Sequence, residues 1–486
     1  MQGKISKHLT LACEAGAAYR LLNQGVSKLE LQIQTDLLRA AFGAREGQWD
    51  RPEPGATARI LQEVRRRKDQ LGAVNASTAL HLLAQAQSGS KASPEVLQAS
   101  TDLALSTVSG NAQPRDLAIA CWAAARLHLG HGQSEPALEA LKTAVIACMP
   151  RLDGQDVGNI AWAYASMQHS ADLLEQLAEA ASQRVNEYEP KHMVVLTWSL
   201  AKAKVRHEDF CWAAANQAHQ SRAGKWMPQD ISNFLWAFAV LRCEAPVPLE
   251  VLAARAAELH WRQFRPQELS ISMWAAYSLG VHGSGPSIRA VKRMLQHAAR
   301  EIRNSGAKDF EPRHIMNAAW ALARWQRHCR LLGWPQELKP YVCRPALRIL
   351  MAEACCRLDH FAARELSRLV WAVSSQSCLR LRETGKPLLE YVQRRDRAPS
   401  FDADDLVSLV TSLAWMLERL VWEVPGRRTR SKLPQQPPRR PPLRPPAPRR
   451  ESGATLAGAS MCSVRALGGM ASGLRDVGGV QAEEKS

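Results

Sequence analysis

Between residues 72 and 423 the apolar positions of this chain recur on two scales. Within segments of about fourteen residues they return every three or four positions, which predicts amphipathic helices. Across segments, the same order of residue types returns every 36 to 51 residues. The fullest copy has Trp226, then Pro228, Asp230, Trp236, Ala237 and Ala239. Taking Trp236 as the anchor, further copies fall at Trp122, Trp162, Trp198, Trp274, Trp320 and Trp371, and two without Trp at His81 and Thr411. The spacings are 41, 40, 36, 38, 38, 46, 51 and 40 residues, a period that marks a helical repeat array.

Each copy spells out a helix start. Pro114, Pro190, Pro228, Pro266 and Pro312 suit a first helical turn, where a missing N–H costs nothing. Six residues before each anchor stands Asn75, Asp116, Asp156, His192, Asp230, Glu268, His314, Glu365 or Asp405. An acid there faces the unpaired N–H groups and the positive end of the helix dipole. Ten residues before the anchor, Tyr188, Trp226, Phe264, Phe310, Phe361 and Phe401 should close the preceding helix onto this one. The anchor indoles should fill the space between helices, and the small residues after them allow close approach.

A second amphipathic segment lies between copies: 136–149, 173–185, 249–261, 287–302 and 345–358. Each repeat is therefore an αα-hairpin that must stack on its neighbours to bury its faces. The expected fold is all-α, a right-handed-type α-solenoid of about nine such hairpins over residues 72–423. Residues 1–71 supply N-terminal helices (5–22, 29–44, 56–71) and a cap. Two insertions, 302–309 and 328–339, are expected as loops. Residues 424–450 form a basic, Pro-rich segment and 451–486 a Gly-, Ala- and Ser-rich tail, and both compositions predict disorder.

Composition then narrows the function. The net charge is +17, of which the Pro-rich segment carries nine; the last 36 residues carry a net −1, which leaves +9 on the helical part. That excess suits nucleic acid, although any anionic surface would be attracted. Fifteen Trp against 8 Phe and 6 Tyr looks odd until seven are assigned to the anchor column. The 11 Cys form no metal-ligand spacing and read as small buried residues in a reducing compartment. No run is apolar and long enough to span a bilayer. Lys4, Lys7 and Arg20 against Glu14 give the N-terminus a faint transit-peptide character. Arg65, Arg66, Arg67 and Lys68 read as a solvated helix face ahead of a binding patch. Nucleotide-loop, zinc-protease, hydrolase-elbow and kinase motifs are missing from the sequence, so no enzyme, cofactor or metal is expected. His192 and His314 read as structural, and Asp402, Asp404 and Asp405 as a helix start.

Positions seven and three before the anchor and four after it share one helical stripe, about 40° and 20° apart. The stripe carries Arg115 and Arg126, then Gln155, Asn159 and Ser166, then Lys191 and Lys202. It continues with Gln229 and Asn233, with Gln267 and Ser278, with Arg313, Asn317 and Arg324, and with Arg364 and Arg368. Constant core columns beside a variable polar stripe suit an array that reads single-stranded RNA one unit per repeat. Exposed helix positions are polar in any case, and Ile119, Val195, Val240 and Ile271 interrupt the pattern.

The unit, exemplified by Asp156, Asn159, Trp162 and Ala163 and by Asp230, Asn233, Trp236 and Ala237, resembles the helical repeats of octotricopeptide-repeat proteins and of FAST-kinase-like, RAP-domain proteins of organelles. The resemblance covers residues 72–423. It implies RNA binding in a mitochondrion or chloroplast, acting in transcript processing, stabilisation or translation, alongside other organelle RNA-processing proteins. A RAP domain is not recognisable, so no nuclease-like activity is implied. The other class of reading is a HEAT- or armadillo-type interaction scaffold whose polyproline tail engages a partner's aromatic groove.

Overall fold

A computed structural model of the chain describes residues 28–43, 52–87, 91–109, 111–129, 134–221, 226–243, most of 250–280, 285–331, 343–375 and 401–422, besides a few single positions. The expected helix at 5–22, most of the second insertion and both tail segments lie outside them. Among the described residues the secondary structure is helical throughout, with no strand. The chain divides into two compact units, the division falling after Ala214.

In the first unit, α1 (Lys28–Phe42) and α2 (Ala56–Arg66) lead into α3 (Ala73–Ala86), which belongs to the His81 copy. Then come α4 (Pro94–Ser109), α5 (Pro114–Arg126), α6 (Glu135–Cys148), α7 (Gly154–Met167), α8 (Ala171–Gln183), α9 (Pro190–Ala203) and α10 (Glu208–Gln220), across which the division falls. The anchor-bearing helices α3, α5, α7 and α9 pack side by side, each mainly on the anchor helices flanking it. Their hairpin partners form a second layer, with α4 against α6. The second unit repeats the scheme with α11 (Pro228–Leu241), α12 (Pro266–Gly280), α13 (Gly285–Ser305), α14 (Pro312–Leu331), α15 (Cys343–Cys356), α16 (Ala363–Ser374) and α17 (Ala403–Trp422). Here α11, α12, α14, α16 and α17 make the anchor layer, while α13 packs on α15 outside it. The observed second helices start and stop within two residues of the amphipathic segments at 136–149, 173–185 and 345–358.

Stacking rests on the small residues that flank the anchors. Ala118, Ala120, Ala123, Ala161, Ala163, Ala237, Ala275, Ala321 and Ala372 are all buried. With little side chain between them, neighbouring backbones approach closely and dispersion contacts accumulate. Gly154 takes this furthest. A Cβ there would lie 2.8 Å from Nδ1 of His192 and 3.0 Å from a ring carbon of Tyr188, both from the next repeat.

One local device recurs at four of the junctions between hairpins. The second helix ends in a 3₁₀ turn, Met149–Arg151, Val185–Glu187, Trp261–Gln263 or Leu358–His360. The N–H of the next residue bonds back to the start of that turn: Leu152 to Met149, Tyr188 to Val185, Phe264 to Trp261 and Phe361 to Leu358. The side chain at this point is buried, as expected for the aromatic column. Trp226 also donates its indole N–H to Ser221 Oγ at 2.8 Å. Arginines fasten the first of these corners, and the turn at 307–310, from one repeat further on. Arg184 donates to the carbonyls of Pro150 and Leu152, and Arg357 to those of Ala307 and Phe310.

The far ends of the anchor helices are equally regular. His128, Gln168, Lys204 and Arg242, each six residues after an anchor, adopt left-handed φ values of 57°, 55°, 61° and 53°. The following N–H in each copy bonds to the carbonyl five residues back, as Leu129 does to Ala124 and Val205 to Leu200. This is a Schellman closure built without glycine. The insertion at 302–309 does not begin as a loop. Helix α13 runs on through it to Ser305 and turns at Gly306, with φ 81°.

Two substitutions of opposite sign test these packing statements. Gly154→Ala is expected to lower the melting temperature, because overpacking against Tyr188 and His192 costs about 1–3 kcal/mol. Gln168→Gly removes a left-handed strain and is expected to raise it, by about 0.5–1 kcal/mol in stability. Thermal melts of the two single variants beside the unaltered chain decide both.

Candidate nucleic-acid interface

The residues six before the anchors do something more specific than face a dipole. Six of the nine bend back to accept the backbone N–H three residues earlier, the returning half of a capping box. Asp116 accepts from Gln113 at 3.0 Å, Asp230 from Met227 at 3.0 Å, Glu268 from Arg265 at 2.9 Å and Glu365 from Ala362 at 3.0 Å. Asp156 does so at 3.4 Å, and Asp153 returns the favour to the Asp156 N–H at 2.8 Å. His314 substitutes for an acid through its ring: Nδ1 accepts the Glu311 N–H at 3.2 Å. His192 does not, and its ring packs against Gly154 instead. These side chains are structural, as the sequence suggests. At the last copy, Asp402 accepts the Asp405 N–H at 2.8 Å, so that acidic cluster is a helix start.

Burial of this column moves its proton equilibria. Burial raises the Asp156 carboxyl to about 6, helped by the neighbouring Asp153 charge, and raises Asp116 and Glu365 as well. Burial likewise lowers the His314 imidazole to about 4. It also lowers His81 to about 4, so a neutral ring lies 4.9 Å from that of Trp122 in the next repeat.

That contact makes the role of the anchors more specific. Trp122, Trp320 and Trp371 each meet side chains of a neighbouring repeat's anchor helix. Trp122, Trp162, Trp198 and Trp371 are buried, whereas Trp236, Trp274 and Trp320 are half-buried. Tyr277 meets Trp320 edge-on at 5.5 Å. The guanidinium of Arg324 sits 5.1 Å from the Trp320 ring centre and 4.9 Å from that of Trp371, joining two repeats through one cation. Arg126 lies 5.9 Å over Trp122. Helical geometry explains the pairing, since a residue four after the anchor lies over the anchor's own ring.

The structure places the remaining stripe positions at the surface or half in it. Arg115, Ser166, Arg313 and Arg364 are exposed. Gln155, Lys191, Lys202, Gln229, Asn233, Gln267, Ser278, Asn317 and Arg368 are half-buried between neighbouring anchor helices. Lys191 pairs with Glu189 at 3.1 Å, and Arg368 lies 3.9 Å from Met316 Sδ of the preceding repeat. Asn159 departs from the pattern. It is only 3% exposed, and a ligand could not reach it without repacking. Within the first unit the stripe gathers Arg115, Arg126, Gln155, Lys191 and Lys202 on three adjacent helices. Within the second it gathers Gln229, Asn233, Gln267, Arg313, Asn317, Arg324, Arg364 and Arg368 on four.

In the basic run before the array the three arginines are ion-paired. Arg65 pairs with Glu95, while Arg66 and Arg67 both pair with Glu63 and Asp36. Elsewhere, Glu135, Glu139 and His169 bring three potential metal-ligand atoms together. His169 is already bonded at both nitrogens, to Glu135 at 2.7 Å and to Ser170 at 2.6 Å, which accounts for the grouping without an ion. Six of the eight described cysteines, Cys121, Cys148, Cys211, Cys243, Cys329 and Cys343, are buried. Among the described residues no helix is long and apolar enough to cross a membrane. No protein-family model and no curated protein matches the chain.

The capping column makes a pH prediction whose sign can be worked out. His314 is neutral in the fold down to about pH 4, whereas the unfolded ring protonates near 6.5. The unfolded state therefore binds more protons in that window, and this stability is lost as pH falls from about 6.5 towards 4. A carboxylate in this column has the opposite sign. Between pH 7 and 5 the His314→Asp variant is expected to lose less stability than the unaltered chain. Equal losses in denaturant titrations at the two pH values would remove His314 from the account.

Proposed function

We propose that the chain is a non-enzymatic helical-repeat protein that binds single-stranded RNA along the polar stripes of its anchor helices. The observation that carries this reading is the accessible, in-register set of Arg, Lys, Gln and Asn bordered by a column of indoles. Guanidinium and ammonium groups at that spacing engage phosphates, amide side chains hydrogen-bond base edges, and half-buried rings offer faces for stacking. The net charge of +9 on the helical part supplies long-range attraction, and the basic Pro-rich segment adds sequence-blind phosphate contacts. The resemblance to octotricopeptide and FAST-kinase-like repeats adds an organelle setting, mitochondrial or chloroplast, and a role in processing, stabilising or translating transcripts there.

The stripe residues divide into two classes under substitution. Arg115, Arg313 and Arg364 are exposed, and the Arg313→Ala, Arg364→Ala double variant is expected to weaken binding of an RNA pool severalfold with the melting temperature unchanged. The salt slope of binding should become shallower by about one unit per lost phosphate contact. Arg324→Ala should lower the melting temperature as well, since it empties the space between two indoles. Filter binding across a salt series, paired with thermal melts, separates the classes. RNA binding that is insensitive to salt, or untouched by the double variant, would overturn the assignment of these stripes. Partners that survive nuclease treatment in a pull-down would instead favour the scaffold reading.

A further inference from the structure

The layer outside the anchor helices differs in charge between the two units. In the first unit α4, α6 and α8 carry an acid in the first turn, Glu95, Glu135 and Asp172, as a helix dipole favours. Carboxylates of these helices are taken up within the fold: Glu95 by Arg65, Glu135 by His169, Asp172 by Lys142 and Glu179 by His207. In the second unit α13 has no acid in its first turn. From residue 287 onward its exposed side chains are Arg289, Arg293, Arg300, Arg303, Asn304 and Ser305, with Lys292 half-buried beside them.

At about 100° and about 1.5 Å per residue, the four arginines fall within an arc of about 80° and span about 21 Å of helix. Neither they nor Lys292 are ion-paired among the described residues. Arg289 and Arg293 are four apart and Arg300 and Arg303 three apart, spacings at which like charges repel. Burial lowers the His297 imidazole, and the Arg300 and Arg293 charges lower it further. On α15, which packs against α13, Arg344 and Arg348 are also exposed. A row of mutually repelling cations does nothing for the fold and points outward, to an anion of many charges.

The chemistry of the row selects among polyanions. A membrane or a protein partner would need apolar anchors as well as charge, and α13 exposes no large apolar side chain from residue 287 onward. Unpaired bases would need free rings, and the ring at the margin of the row, His297, is already stacked on Trp261 with centres 6.3 Å apart. Phosphate remains, and guanidinium groups suit it because each can bind two oxygens at once. A straight, rigid row matches a line of phosphates that base pairing already holds rigid, as in A-form RNA, which proteins recognise by shape and backbone.

We propose that α13, with α15 beside it, is a second RNA-binding surface that grips the phosphate backbone of a base-paired stem without reading its sequence. That the polyanion is RNA rests on the function proposed above, whereas the surface itself is separate from the anchor stripe. The test is an anisotropy titration of the full chain with a labelled RNA duplex of about 16 base pairs, beside a labelled single strand, across a salt series. The Arg293→Ala, Arg300→Ala variant is expected to weaken duplex binding about tenfold, equally for two unrelated sequences, and to make the salt slope shallower by about two units. Its melting temperature should stay the same or rise, because like-charge repulsion is relieved. The basic Pro-rich segment is present in every chain compared, so the difference belongs to α13. The Arg313→Ala, Arg364→Ala variant should weaken the single strand and leave the duplex bound. Duplex binding without single-strand binding would remove the anchor stripe and keep this surface.

A chain that binds no duplex, or whose duplex binding survives the α13 substitutions, overturns the inference. So does a lower melting temperature in that variant, which would make these arginines structural. Binding to vesicles of phosphatidylserine and phosphatidylcholine that the α13 substitutions abolish, with duplex binding intact, would give the row to a membrane surface instead.

Discussion

The fold depends on one interface used repeatedly, that of an anchor helix against the anchor helix of the next repeat. A single αα-hairpin has two apolar faces and only one internal contact to bury them, so its stability comes from its neighbours. The chain meets this with alanines on both sides of the anchor, which bring backbones together, and with large rings at the seams, which fill the space left at the edges. His81 on Trp122 and Arg324 between Trp320 and Trp371 are two chemical solutions to the same seam. In the first, burial holds the imidazole neutral. In the second, the guanidinium keeps its charge and is attracted to two ring faces.

Much of this is legible from the residues in order. Helix starts are legible because proline and a capping acid are local signals, and their roles are completed within three residues. The aromatic column is legible for the same reason, since each ring closes a turn formed by its immediate neighbours. Helix ends are not. Glycine is the usual mark of a left-handed closure, and here His128, Gln168, Lys204 and Arg242 adopt it without that mark. Arg184 and Arg357 carry no local signal either, because the carbonyls they bind lie a full repeat away. The insertion at 302–309 begins as helix and not as the expected loop, because added residues that continue an amphipathic period simply extend the helix.

The polar stripe is legible as a stripe but not as a set of equivalent positions. A column three before the anchor looks uniform when it reads Asn159, Asn233 and Asn317, yet the first is buried and the others are half-buried. Local packing differs from repeat to repeat: beside Asn159 the next anchor helix comes close enough that a Cβ on Gly158 would lie 3.5 Å from a Val195 methyl. Positions four after the anchor carry a double load, since Arg126 and Arg324 both lean on indoles that hold repeats together. Any ligand that recruits them competes with the stack.

The corner that joins one hairpin to the next, a 3₁₀ turn, a buried ring and a back-bonded cap, is complete within about a dozen residues. Nothing in it senses how long the preceding helices are. Repeat length is therefore free to drift, as the spacings of 36 to 51 residues record, while the back-bonded turn before the new helix recurs. Such a chain can gain or lose turns in its outer layer over evolutionary time without renegotiating its inner one. Whole units can likewise be duplicated or deleted as modules, because each carries its own instructions for starting.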